Sequence, residues 1–432
     1  MRRRLVSALP TLAALAVGGC LLSLAPRGTL GNPAGLVALA AMALVWVVRV
    51  PAGERRDGVL PALAVLLSCV GLATIARLSG DLARKQEILL AVSLGLAIVA
   101  GPFFDGFRRL AAFKYVWVLG AIVLFALVAV FGQEVNGAKL WIRIGALQYE
   151  PVELIKLFIV LFMAAYLAEN SDVIAAAKPL SLRENARYLG PLLLGWGASM
   201  AILFFERDIG MAALLLATFV AMLYVATRRL DLIVGGAIAF AIAMIWAAGH
   251  YRYVAARVAA WRDPFADPLG SGYQALQGLF SLAAGGLFGT GYRLGHPGYI
   301  PGAQTDYVFA AWSEEFGALG GLVVLGAFLI LVVRALQAAR AQPDLYAKLL
   351  GTGLASVIGF QAFIIVGGVL GLFPLTGITV PFVSSGGSSL VANYLAVALL
   401  WAISGERVAA ARVPRRRTVR PPRGRPLADV PA

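Results

Sequence analysis

Residues Tyr307–Val333 read YVFAAWSEEFGALGGLVVLGAFLILVV, and this stretch decides the fold. Its only charges are Glu314 and Glu315, and the rest is apolar without a polar face. A helix that crosses the ~30 Å hydrocarbon core of a bilayer needs about 20 mostly apolar residues. A lipid-facing barrel strand would instead alternate over about ten. The run is therefore a membrane-spanning helix. Working outward, eleven more runs of the same kind lie near 5–24, 32–48, 59–78, 87–104, 113–132, 153–168, 188–206, 210–227, 231–249, 349–373 and 390–404. The expected fold is an all-α polytopic membrane protein of about twelve spans.

Composition agrees. Of 432 residues 60% are hydrophobic and 14% charged, and the mean hydropathy is +0.83. Soluble domains run about 45–50% apolar and about 25% charged, so a water-soluble fold lacks the polar surface to cover itself. Disorder is excluded on the same grounds. The 48 glycines suit close helix contacts. Two Cys and two His offer no zinc or haem ligand set. No Gly-Lys dipeptide exists, and Gly289, Gly291 and Gly295 have the wrong spacing for a dinucleotide loop. The chain carries no nucleotide motor.

Lys and Arg set the orientation. With the N-terminus inside, the inner segments hold 25 of them and the outer segments 11, with Lys156 inside a span. Both termini are expected in the cytoplasm. Eight Arg lie in the last 26 residues, so much of the +15 net charge is a basic tail at the inner lipid surface; nucleic acid need not be invoked. The expected organisation is two N-terminal spans over 1–55, a core over 56–405 and a disordered basic tail over 406–432. The one long connection, about 250–306, falls outside; its aromatic residues and an apolar stretch at 271–288 predict a structured loop with a re-entrant or interfacial helix.

Ionisable groups within spans are costly and mark function by default. Glu153 and Lys156 stand three apart on one helix face and fit an ion pair. Glu206, Arg207 and Asp208 end an outer span. Each set, like Glu314 and Glu315, fits either a packing role or a chemical one. Asp306 follows Pro301–Thr305 at an outer span mouth. It fits a charge at a helix N-terminus, or a general base or metal ligand facing the outer cavity. Ser384-Ser385-Gly386-Gly387-Ser388-Ser389 fits an anion-binding nest or a hinge between spans.

Several segments in order resemble the SEDS family, the shape, elongation, division and sporulation proteins. They are Asn136–Ile142 (NGAKLWI), Glu150–Lys156 (EPVELIK), Glu206–Gly210 (ERDIG), Thr305–Phe309 (TDYVF), Glu314–Gly317 (EEFG), Phe373–Gly377 (FPLTG) and Pro381–Ser389 (PFVSSGGSS). The likeness runs from about residue 60 to 405, a ten-span family core preceded here by two extra spans. The chain departs from the family pattern at Leu140, at Glu150 (commonly Gln), at Val152 (Ser), at Arg207 (Pro) and at Ser385 (Tyr).

The resemblance implies a peptidoglycan glycosyltransferase. Such an enzyme polymerises lipid II at the outer face of the bacterial cytoplasmic membrane, with a class B penicillin-binding protein as partner. Within the family the basic tail and the P-L-T-G context favour the RodA type over the FtsW type. Asp306 matches the family's essential aspartate, Trp141 its loop tryptophan, and Glu153 and Lys156 its fourth-span pair. Such a reaction needs a base for the attacking hydroxyl and positive charge for the leaving diphosphate. Asp306 is the expected base. Lys139, Arg143, Arg207, Arg257 and Arg293, or a Mg or Mn ion with Asp306 as a ligand, are the candidates to hold the diphosphate. Asp208, Ser384 and Ser388 are expected to bind substrate or support the site. The competing reading is a lipid II flippase that uses the intramembrane charges as a proton-coupled carrier.

Overall fold

The computed structural model describes residues 2–25, 30, 33–49, 56–135, 138–144, 147–176, 197 and 208–410. Helices stand at eleven of the twelve expected spans. They are α1 (Arg2–Ser23), α2 (Pro33–Val48), α3 (Val59–Leu78), α4 (Gly80–Asp105), α5 (Lys114–Phe131), α6 (Val152–Ala176), α7 (Ile209–Thr227), α8 (Leu230–His250), α11 (Val308–Arg340), α12 (Leu345–Val369) and α13 (Gly387–Ala410). The span expected at 188–206 lies outside the described residues, as does the tail beyond residue 410. Eight of the described helices are long and apolar enough to cross a membrane. The chain is a polytopic, essentially all-α membrane protein.

Several helices outrun their apolar runs. α4 starts at Gly80, because the Ser79 hydroxyl accepts from Leu82 N at 3.4 Å and caps it. α6 and α11 continue past their hydrophobic stretches to Ala176 and Arg340. The backbone ladder does not stop where the hydrocarbon does.

The long connection is structured: α9 (Arg252–Arg262) and α10 (Tyr273–Gly285) precede the turn that enters α11. α10 falls within the apolar stretch that predicted a helix. A small meander, β1 (Gln133–Val135), β2 (Ala138–Ile144) and β3 (Leu147–Tyr149), corrects a purely helical reading. Lys139-Leu140-Trp141-Ile142-Arg143-Ile144 alternates with period two, which is strand patterning. The pairing is antiparallel, with Trp141 opposite Gln133 and Arg143 opposite Gln148.

α11 is broken at Gly317, whose φ of 69° and ψ of −174° leave the helix. A break inside a membrane frees backbone groups that have no water to bond. The loop after α10 satisfies them. Ala318 N donates to Gly286 O at 2.9 Å, Leu319 N to Leu287 O at 3.2 Å, Thr290 N to Glu314 O at 2.9 Å and Gly291 N to Glu315 O at 3.1 Å. A Cβ on Gly289 would stand 2.2 Å from Glu315 O, so that position needs glycine.

One end of the bundle is tied by ion pairs. Arg56 joins Asp105 at 2.6 Å, Arg334 joins Asp57 at 2.8 Å, Arg108 joins Asp344 at 2.6 Å, and Lys114 joins Glu169. α2 packs on the core through Trp46, 1% exposed, whose ring lies 5.8 Å from Tyr394 and 5.9 Å from Trp401 of α13. The opposite end carries the polar groups described next.

Candidate active site

Asp306 sits in a turn just before α11. Gly302, at φ 72°, lets the chain fold back so that Thr305 N and Tyr307 N both donate to Gly302 O, at 2.9 and 3.1 Å. The turn is held from outside as well. Ser385 N donates to Gln304 O at 2.7 Å, Ser384 Oγ to Thr305 O at 2.6 Å, and Gln274 Nε2 to Pro301 O at 2.8 Å. The carbonyls on both sides of residue 305 are thereby fixed by the loop before α13.

Asp306 is half-buried. Burial raises its carboxyl to about 6, against the opposing pull of the Arg257 charge and a hydrogen bond from Thr305. A carboxyl at that value is about 90% ionised at pH 7 and a stronger base than an ordinary aspartate.

Arg257, on α9, donates Nη1 to Thr376 O at 2.6 Å. Its guanidinium rests against Gly377, where a Cβ would meet Nη2 at 3.0 Å. Trp261, one turn further along α9, donates Nε1 to Gly371 O at 2.9 Å. These two bonds lay α9 over an apolar cavity of about 250 Å³, lined chiefly by Phe240, Met244, Val258, Phe363, Phe373 and Leu375, with Arg257 at its wall.

Asp208 caps α7 by accepting from Met211 N at 3.0 Å. Its carboxyl is raised to about 6, chiefly by burial, while the Met211 bond and Arg257 pull it down. Glu150 is pushed well above the usual range by burial and then by the Glu153 and Asp208 charges. The surroundings thus disfavour a charge at residue 150, and the Gln common in the family pattern carries none.

Glu153 and Lys156 form the ion pair expected of their spacing, at 2% and 0% side-chain exposure. Lys156 Nζ also donates to Gln361 Oε1 at 2.7 Å. Glu314 and Glu315 are structural locks. Glu314 accepts from Ser281 Oγ at 2.5 Å and His296 N at 2.6 Å. Glu315 accepts from Arg77 Nε at 2.9 Å, and Arg77 also reaches Gly295 O at 3.0 Å.

Not every expected site residue joins this cluster. Trp141 is half-buried and Arg143 exposed, in a hairpin that packs on α5. Lys139 lies in the same strand, opposite Glu134. Arg293 adopts a φ of 70° in the connection that runs along α11. Arg207 lies outside the described residues.

The Ser384–Ser389 segment acts as a hinge-side scaffold. Ser384 Oγ is spent between Val380 N, at 2.8 Å, and Thr305 O, and Ser388 Oγ accepts from Glu150 N at 2.9 Å. Among the described residues no group of three or more His, Cys, Asp and Glu stands together to hold a metal ion.

Residues 59–408 match the family model described as the FtsW, RodA and SpoVE cell cycle proteins. The chain belongs to this family. It is 38% identical over 366 residues to the peptidoglycan glycosyltransferase RodA of Mycobacterium tuberculosis, covering 81% of this chain and 78% of that one. It is 32% identical over 326 residues to the stage V sporulation protein E of Bacillus subtilis, covering 74% and 86%.

Among solved structures, it resembles a chain of a peptidoglycan synthase complex studied for coordinated polymerization and crosslinking. The TM-score is 0.65 at 28% identity, over 82% of this chain and 98% of that one. The rod shape determining protein RodA of Thermus thermophilus aligns with a TM-score of 0.56 at 27% identity, over 82% and 97%. α1 and α2 precede the matched segment.

Gln361, Thr379 and Gln86, whose Nε2 donates to Ser384 O at 3.2 Å, were missed by a sequence reading that looked for charge within spans. Gln361 stands in the middle of an apolar run, so a neutral polar side chain inside a span was the signal available.

Proposed function

We propose that the chain is a peptidoglycan glycosyltransferase that polymerises lipid II at the outer membrane face. The observation that carries this reading is Asp306, a carboxylate of raised basicity on a turn locked from three sides, facing the Arg257 charge.

In the proposed step Asp306 accepts the proton of the attacking sugar 4-hydroxyl as that oxygen bonds to the anomeric carbon of the donor. The bond from that carbon to the diphosphate breaks, and its electron pair leaves with the diphosphate. Arg257 is placed to stabilise the departing charge. The apolar cavity beside Arg257 suits the first isoprene units of the lipid carrier, whose chain is as apolar as the wall. Asp208 and Glu150 shape the polar floor. A Mg or Mn ion would be held on the protein side by Asp306 and would supply positive charge for the leaving diphosphate.

Both termini are proposed to face the cytoplasm, which puts the ion-paired end of the bundle inside and Asp306 outside. The ion pairs at that end join α4 and α11 to the segments that flank α3, α4 and α12. The RodA relatives favour an elongation role. A class B penicillin-binding protein is the proposed partner.

The test is glycan polymerisation from purified lipid II, with and without the partner transpeptidase, beside a lipid II translocation assay in liposomes. Glycan strands support the reading. Translocation without polymer under every condition overturns it.

A further inference from the structure

One of the most deeply buried polar side chains near the site has no part in the proposed step. Gln361, in α12, is 0% exposed. Both ends of its amide are used. Oε1 accepts from Lys156 Nζ at 2.7 Å, and Nε2 donates to Thr379 O at 3.0 Å.

From Thr379 the contacts continue in two directions. Thr379 Oγ1 donates to Ser389 Oγ at 2.9 Å, tying the loop to α13. The next residue, Val380, donates its N–H to Ser384 Oγ at 2.8 Å, and that hydroxyl donates to Thr305 O at 2.6 Å. Thr305 is the residue before Asp306. A series of hydrogen bonds, joined through the Thr379–Val380 peptide, therefore runs from the buried Glu153–Lys156 pair, through Gln361, to the turn that carries the proposed base.

We infer that Gln361 is a positioning residue for Asp306: it transfers the fixed location of Lys156 on α6 to the 379–385 loop, and through Ser384 to the Asp306 turn. The inference rests on the polymerase reading.

The geometry supports a directional role. An amide is the side chain that can accept from a cation at one end and donate to a carbonyl at the other. Lys156 alone would be satisfied by any acceptor, and Thr379 O alone by any donor. Only the joint requirement selects Gln. A misplacement near 1 Å can cost about 100-fold in rate, and a loop released from α6 and α12 has that freedom.

Two variants separate positioning from support of Lys156. Gln361→Glu keeps an acceptor for Lys156 but turns a carboxylate oxygen toward Thr379 O, where a donor is needed. Gln361→Met removes both ends at similar volume. Both are assayed for lipid II polymerisation at saturating and limiting substrate, with thermal unfolding in detergent as the control.

The expected result is a loss of kcat of about 10–100-fold in each, with KM within about twofold. The Glu variant strands Thr379 O and adds a second carboxylate beside Lys156, so it should melt below the parent, and kcat is compared at a temperature where both are folded. Adding Ser384→Ala to Gln361→Glu should cause little further loss, since both cut one series of bonds. Wild-type kcat in the Glu variant overturns the inference, as does a loss confined to KM or losses that multiply in the double variant. Should the Met variant not fold, the Glu variant and its double decide alone. A parent protein that makes no glycan at all would instead remove the polymerase reading, which distinguishes the two failures.

Discussion

Replacing Lys156 with Met tests the buried framework of the site. Lys156 and Glu153 are 0% and 2% exposed, so neither charge can turn to water. Breaking a buried pair from one side costs about 3–5 kcal/mol, because the remaining charge is stranded. Lys156 is also the donor to Gln361 Oε1, and an acceptor left bare in the core adds about 1–3 kcal/mol. Lys156→Met should therefore lose about 4–8 kcal/mol, most of the typical stability of a folded domain.

Glu153→Gln with Lys156→Met removes both charges, leaving about 1–3 kcal/mol for the stranded Gln361 carbonyl. The measurement is detergent-solubilised unfolding followed by tryptophan fluorescence, for both singles and the double. A double variant no more stable than Lys156→Met would refute the stranded-charge account. So would a single variant within about 1 kcal/mol of the parent.

Glu150→Gln should keep polymerisation near the parent level, since burial and the neighbouring carboxylates already oppose the charge that the substitution removes. The folded value lies above that of an unfolded glutamate. The stability contributed by the neutral form is complete below the unfolded value and is lost as pH rises through the raised one. The Gln variant should therefore melt progressively higher than the parent as pH rises; a constant difference would contradict this. Gly377→Ala puts a Cβ at 3.0 Å from Arg257 Nη2 on a backbone at φ 81°; it should cost about 1–2 kcal/mol and reduce turnover by displacing the guanidinium, and unchanged turnover argues against Arg257 at the leaving group. Trp46→Ala should lower stability by about 3–5 kcal/mol while glycan synthesis at low temperature persists, because Trp46 packs on α13 away from Asp306; equal loss of both at all temperatures would contradict that.

The spans were legible because a bilayer imposes one length and one polarity on every crossing. The Glu153–Lys156 pair was legible from a three-residue spacing, and Asp306 from its place at a span mouth after a Pro-Gly turn. The hairpin was not, since its strand alternation occupies a few residues between two long apolar runs. The break at Gly317 was hidden inside the very run that identified the membrane fold, because hydropathy does not record backbone direction. Only the partner segment Gly286–Gly291, some thirty residues earlier, makes that break affordable. Glu314 and Glu315 could not be assigned from spacing, since Ser281, His296 and Arg77 reach them from distant segments. For the same reason the roles of the Ser384 and Ser388 hydroxyls were not legible, since Val380, Thr305 and Glu150 meet them from other segments.

Asp306→Ala, purified with a normal melting profile and given lipid II beside its partner transpeptidase, tests the assignment of the base most directly. The parent enzyme should lose activity as pH falls through about 6, where Asp306 gains its proton. The variant should fall about 100- to 10,000-fold below the parent at pH 7, without that acid limb. Polymerisation at the parent rate by the folded Ala variant would contradict the account.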